Sequence, residues 1–225
     1  MDTLIGIITN NAENPSALYV VAILGLLATT FGIIWTLKGR TWAVIYVLII
    51  PFLNWSFSVI PQFQVVAPEV WNAQGIALHP MTIVTGLVFV IRDFAQREMG
   101  HRVLIVMAMA IGWSFFYAWP VIALASGIAF AISESVDWLL FTFTKYRLST
   151  RILLSSAVAA PLDTTVFLYG ADLAQQMALG LPAGNMLHLA NWIVFVIGKM
   201  VGAFVISAMI RQREKLGEYA DVKTA

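Results

Sequence analysis

Residues 121–144 read VIALASGIAFAISESVDWLLFTFT, an apolar run whose only charges are Glu134 and Asp137. About 20 residues at 1.5 Å each are what an α-helix needs to cross the hydrocarbon of a bilayer. The run shows no apolar–polar alternation, so it is not a strand of a membrane β-barrel. The two acids are three residues apart and in helical step with Gly127 and Phe130, so they share one face. Two carboxylates on one face cannot both sit in lipid, and that face is expected to look into protein or water.

The rest of the chain repeats the pattern. Of its 225 residues 60% are hydrophobic and 11% charged, and its mean hydropathy is +0.84. A soluble domain carries roughly 25% charge, so lipid is the expected solvent. Apolar runs over 17–37, 41–60, 81–97, 103–119, 121–144, 151–170 and 187–210 predict an all-α polytopic membrane bundle of seven transmembrane helices. Six is the alternative, because the fourth and fifth runs meet at Pro120 as a tight hairpin or one kinked helix. One transmembrane domain over 1–225 is expected, with 1–16 and 211–225 as short extramembrane termini. Asp2 and Glu13 precede the first run, which lacks the basic region of a cleaved signal peptide and is expected to be retained.

Positive charge favours seven spans. Basic residues concentrate in short cytoplasmic loops, and with the N-terminus outside, Lys38/Arg40, Arg97/Arg102, Lys145/Arg147/Arg151 and Arg211/Arg213/Lys215 all fall inside. The loops 61–79 and 171–186 and the Pro120 junction then hold no Lys or Arg. A multi-pass protein with its C-terminus in the cytoplasm follows.

Six charges lie within spans: Arg92, Asp93, Glu134, Asp137, Asp163 and Lys199. Each costs on the order of 2.5–3.5 kcal/mol at mid-bilayer on insertion scales. Four acids face two bases, a shortfall of about two positive charges if all ionise; protons, a cation or the donors of a solute could supply it. Lys199 shares a stripe with Asn191, Phe195 and Gly202 and is the natural counter-ion for one acid. Asp163 shares a stripe with Ser156, Ala159 and Phe167, and Asp93 is placed to pair with Arg97 four residues on. Interhelical salt bridges and the lining of a polar cavity are both open to these residues. The Ser, Thr and Gly around Glu134 and Asp163 favour the cavity, whereas Asp93 with Arg97 divides evenly between the two.

Several function classes lose support. No basic block suggests nucleic acid, and the chain has no cysteine for disulfides, thiol catalysis or metal-thiolate sites. His79, His101 and His188 stand at span ends, so neither haem nor a metal is expected, nor any other cofactor. No GxSxG or HExxH occurs, which argues against an enzyme. Trp42, Trp71, Trp113, Trp119, Trp138 and Trp192 read as interfacial belt residues. Trp113, Phe116, Tyr117 and Trp138 have a second reading as a stacking surface for a flat ligand. The GxxxG at Gly198–Gly202, and Gly25, Ala28 and Gly32 in the first span, allow close helix approach within one chain or in a homodimer.

At Asp93-x-x-x-Arg97-x-x-Gly100, Ser133-Glu134-x-x-Asp137, Asp163-Thr164 and Lys199, in successive spans over about residues 81–213, the chain resembles the queuosine precursor transporters, also called the vitamin uptake transporter family. It departs from that pattern in an added N-terminal span, in Arg92, and in Ala160-Pro161 before the Asp163 motif. The resemblance implies a bacterial inner-membrane permease importing 7-cyano-7-deazaguanine, its aminomethyl analogue or a similar purine-like base for tRNA modification. It implies a substrate site drawn from Glu134, Asp137, Asp163, Lys199 and Asp93, to which Trp138, as a stacking surface, and Asn191, on the Lys199 stripe, are added. An ionised carboxylate, Glu134 or Asp163, could accept both donors of a guanine edge, with Lys199 on the keto oxygen and Asp137 on a cationic arm. The alternative is a substrate-binding subunit of an ATP-driven vitamin uptake complex, docking through Ala125, Ala129, Ala157 and Ala160.

Overall fold

The structure is a computed structural model that describes residues 2–9, 12, 15–67, 75–117, 123–180, 183 and 186–217. Trp71, Trp119 and Pro120 lie outside them. Each of the seven apolar runs carries a helix: α2 (Ala17–Thr36), α3 (Thr41–Val59), α4 (Met81–Met99), α5 (Val103–Tyr117), α6 (Ala123–Phe143), α7 (Leu148–Leu179) and α8 (Leu189–Lys215). Five segments are long and apolar enough to cross a membrane: α2, α6, α7, α8 and the stretch Met81–Tyr117, which is α4 and α5 joined by one 3-10 turn. The apolar part of α3, Thr41–Phe57, is shorter. The fold is an all-α helical bundle.

Three features differ from expectation. Residues 1–16 are not all loose tail: α1 (Asp2–Thr9) is a helix packed against α2 and α3. Its Ile8 carbonyl accepts a hydrogen bond from the Tyr117 hydroxyl at 2.9 Å. Second, α7 runs nine residues past Gly170, through ADLAQQMAL, into the expected 171–186 loop. Apolarity fades there, yet Ala, Leu, Gln and Met are strong helix formers. The helix stops only at Gly180, whose φ of 65° is the usual left-handed terminator. By the same logic α8 continues to Lys215, into the segment expected as a C-terminal tail. Third, the loop between α3 and α4 carries a small antiparallel pair, β1 (Phe63–Val66) and β2 (Ile76–Leu78), with Phe63 opposite Leu78.

The helices close into a ring. Going round it, α3 packs on α4, α4 on α8, α8 on α7, α7 on α6, α6 on α5 and α5 on α3, with α4 also reaching across to α6 and α7. One apolar core, including Ile34, Tyr46, Val47, Val103, Val106 and Ala110, fills the α2–α3–α5 side, while α2 itself stays peripheral.

The basic loops gather at one end. Arg102 donates to the Leu37 carbonyl at 3.4 Å, and the Ala43 amide to Glu98 at 3.1 Å. Gln96 bonds Thr142 at 2.7 Å, and the Ser149 hydroxyl bonds Glu214 at 2.6 Å. These contacts place the α2–α3, α4–α5 and α6–α7 connections and the end of α8 side by side.

The tightest crossing is α4 against α8. A Cβ on Gly86 would collide with the backbone carbonyl of Lys199. The GxxxG glycines face the same neighbour: a Cβ on Gly198 would lie 3.0 Å from Thr82 and one on Gly202 2.7 Å from Leu87. That motif therefore serves contact within the chain. Gly25 and Gly32 meet nothing within 4 Å. Gly86→Ala must push the two helices apart, at about 1–3 kcal/mol for an overpacked site. At about 2–4 °C per kcal/mol for a chain of this length, the melting temperature in detergent should fall by several degrees, whereas Gly32→Ala should leave it unchanged.

Candidate functional site

The ring axis is polar. Arg92 projects inward from α4, is wholly buried, and is the hub of four contacts. It pairs with Asp93 at 2.9 Å, with Glu134 at 3.4 Å and with Asp137, and it donates to the Gln96 side chain at 2.6 Å. Asp93, Glu134 and Asp137 are each 0% exposed. From α3 the Tyr46 hydroxyl donates to Glu134 at 2.8 Å, and beyond Gln96 the chain of bonds reaches Thr142.

A second group lies beside the first. On α7, Asp163 pairs with Lys199 of α8, and the ammonium also donates to the Thr164 hydroxyl at 3.1 Å. Ser133, the residue before Glu134, donates to the other oxygen of Asp163 at 3.0 Å. The polar column thus runs Thr142, Gln96, Arg92, Glu134, then Ser133, Asp163, Lys199 and Thr164, held by α3, α4, α6, α7 and α8. Its members are buried because each faces the ring interior, where only other members satisfy them.

The charge imbalance is confined to one half. Asp163 and Lys199 cancel. Asp93, Glu134 and Asp137 share Arg92 as their ion-pair partner, a formal balance of −2 among the four, with the charge of Arg151 also acting on Asp93. Ser155 of α7 hydrogen-bonds Asp137, whereas Glu134 Oε1 and both Asp93 oxygens lack hydrogen-bond partners among the described residues, although Asp93 Oδ1 faces the Arg92 guanidinium.

Five of the seven sequence-predicted site residues meet here: Asp93, Glu134, Asp137, Asp163 and Lys199. Two do not. Asn191 ties down the start of α8, with its amide N–H on His188 at 3.2 Å and its side chain on the Met186 carbonyl at 2.7 Å. Eight residues before Lys199, it stands about 12 Å away along the helix axis, so a shared stripe put it on the right side at the wrong height. Trp138 is only partly buried and turns its ring edge-on to His101 and Phe143, since one residue after Asp137 means a rotation of about 100° on the helix.

Other expectations also shift. Asp93 pairs with Arg92 rather than Arg97, which lies on the exposed side of α4. Trp113 and Tyr117 stack on each other, and Trp113 donates to Thr30 at 3.3 Å, so they pack toward α2 and α1. The aromatics that flank the charges are Tyr46 with Phe130, and Phe141 below Arg92 at 5.8 Å. Arg92, Tyr46, Gln96, Ser133 and Thr164 complete the site. Arg92 was visible as a charge in a span, but Tyr46 sits in a run with no charged residue to flag it.

The column is shut in this conformation, its members being 9% exposed or less apart from Thr142. A cavity of about 350 Å³ lies elsewhere, between α1, α2 and α3, lined by apolar residues such as Leu24, Leu27 and Phe31. Among the described residues no group of His, Asp or Glu is arranged to hold a metal ion. Comparison of the chain with known protein families, characterised proteins and solved structures finds no match.

Removing one member of a buried pair costs about 3–5 kcal/mol because the other charge is stranded, whereas replacing both with apolar groups is often neutral. Lys199→Met should therefore lower stability strongly and Lys199→Met with Asp163→Leu should recover most of it. A double-mutant cycle by thermal unfolding should give a coupling on the order of 1–3 kcal/mol. Additive effects would mean that the two do not act as a pair.

Proposed function

We propose that the chain is a membrane importer of queuosine precursors or a similar purine-like base, working without covalent chemistry from a bacterial inner membrane. The observation that carries this reading is the buried column with more acids than bases and bare carboxylate oxygens. A bundle that needed only glue would balance its charges, because an unpaired ion in a dry interior costs several kcal/mol. A solute rich in N–H donors supplies what these oxygens lack when the ring opens. A guanine edge offers two adjacent donors to one carboxylate, with Glu134 and Asp163 as acceptors and Lys199 for the keto oxygen. Tyr46 and Phe130 stand beside Glu134 to cover a ring face. The family resemblance of the spaced motif points to the same solutes. Because basic loops stay in the cytoplasm, gathering them at one end supports an N-terminus outside and a C-terminus inside.

The alternative of a capture subunit for an ATP-driven partner loses its proposed docking face, since Ala125, Ala129 and Ala160 are buried within the chain and only Ala157 is exposed. Uptake of labelled 7-cyano-7-deazaguanine by cells expressing the chain should exceed background, and Glu134→Ala should abolish it while the protein still reaches the membrane. Undiminished uptake in the variant would remove Glu134 from the site. Purified chain in liposomes should transport on its own; a strict need for a second protein would select the capture-subunit reading. A deazapurine base that binds the folded state should raise the melting point in detergent, by about 2.7 kcal/mol of stabilisation at one hundred times its Kd.

A further inference from the structure

The half of the column around Arg92 has a charge problem that its own residues do not solve. Three carboxylates at 0% exposure surround one guanidinium. Every charged or titratable neighbour is accounted for. On α3 there is Tyr46, a neutral donor to Glu134. On α7 there is Asp163, which adds another negative charge, and on α8 Lys199, already paired with it. Arg151, also on α7, stands over the Phe141 ring, 4.1 Å from its centroid, and donates through Nε to the Phe141 carbonyl at 2.9 Å. Its charge also acts on Asp93 and offsets part of that carboxylate. Gln96 and Thr142 are neutral.

With Arg151 set against Asp93, positive charge must still come from outside the side chains for Glu134, and the geometry limits what it is. A metal cation needs several oxygens converging on one point, and the described acids are not so arranged. They are spread around the guanidinium. Glu134 has the longest of the three contacts with Arg92, its Oε2 takes the Tyr46 proton donor, and its Oε1 faces no donor at all. A bare, fully buried carboxylate oxygen is the most expensive state available to that group, and a carboxylic acid is far cheaper to bury.

We propose that the Arg92 knot is a proton-binding site, holding a proton on Glu134 Oε1 in the closed form and exchanging it when the ring opens. Each exchange is simple: on hydration an O–H of the carboxylic acid breaks, water takes the proton and the carboxylate remains to accept a donor of the solute. Proton and solute then compete for the same oxygens, so solute binding displaces the proton and the two move in exchange. The coupling rests on the importer reading, whereas the proton site does not.

Infrared difference spectroscopy of the purified full chain separates these claims. Wild-type protein at neutral pH should show the C=O stretch of protonated carboxylic acids, shifted on transfer to heavy water and lost on alkaline titration. Glu134→Gln, which copies the shape of the protonated acid, should fold normally and lose the Glu134 share of the band. Asp93→Asn is the second variant, and Asp163→Asn should leave the band intact. Absence of the band in wild-type protein overturns the proton site whatever the variants do. In liposomes with 7-cyano-7-deazaguanine outside as probe, an acidic lumen should drive uptake with proton exit. Uptake driven by sodium with no proton movement overturns the coupling. A full band with no transport of any deazaguanine confirms the proton site and removes the importer reading instead.

Discussion

Arg92 is the constraint around which the bundle is organised. A guanidinium has five N–H donors in a fixed plane and remains ionised in any protein. Placed inside a ring of apolar helices it must be met by acceptors, and α4 and α6 supply three carboxylates and a carboxamide. Those acids in turn need donors, so Tyr46 is drawn in from α3. The relative heights and rotations of α3, α4 and α6 thus follow from satisfying one cation. The α7–α8 pair is a separate solution to the same problem, fastened to the first through Ser133.

Close approach makes this possible. Without water to drive helices together, membrane bundles depend on packing and polar contacts, and the α4–α8 crossing uses glycine on both sides at Gly86, Gly198 and Gly202. The crossing lies beside Lys199, so the residue that pairs with Asp163 is carried on the most tightly packed joint of the ring. Phe141 occupies a comparable position toward the basic end, with the guanidinium groups of Arg92 and Arg151 both over its ring. The π-system of that ring attracts both cations.

The closed column is short of positive charge. Burial raises the cost of an acid without a partner, and hydration lowers it. The peripheral α1–α2 layer, with its apolar cavity, stands outside this ring and contributes no charged group to the column.

Hydropathy alone assigns seven helices, because burial in lipid demands unbroken apolar runs and nothing else in the chain competes with that signal. Charge inside those runs marks Arg92, Asp93, Glu134, Asp137, Asp163 and Lys199 for the same reason, and helical spacing puts Glu134 and Asp137 on one face. Helix ends were less legible: α7 and α8 continue through polar residues that hydropathy reads as loop, since helix propensity and apolarity are different quantities. Pairing was legible only for Lys199, read as the counter-ion of one acid without saying which. Whether Asp93 meets Arg92 or Arg97, whether Asn191 reaches Lys199, and that Tyr46 belongs to the site depend on helix rotation and height. Those are fixed only when all the helices pack together and each buried charge has to find its partner.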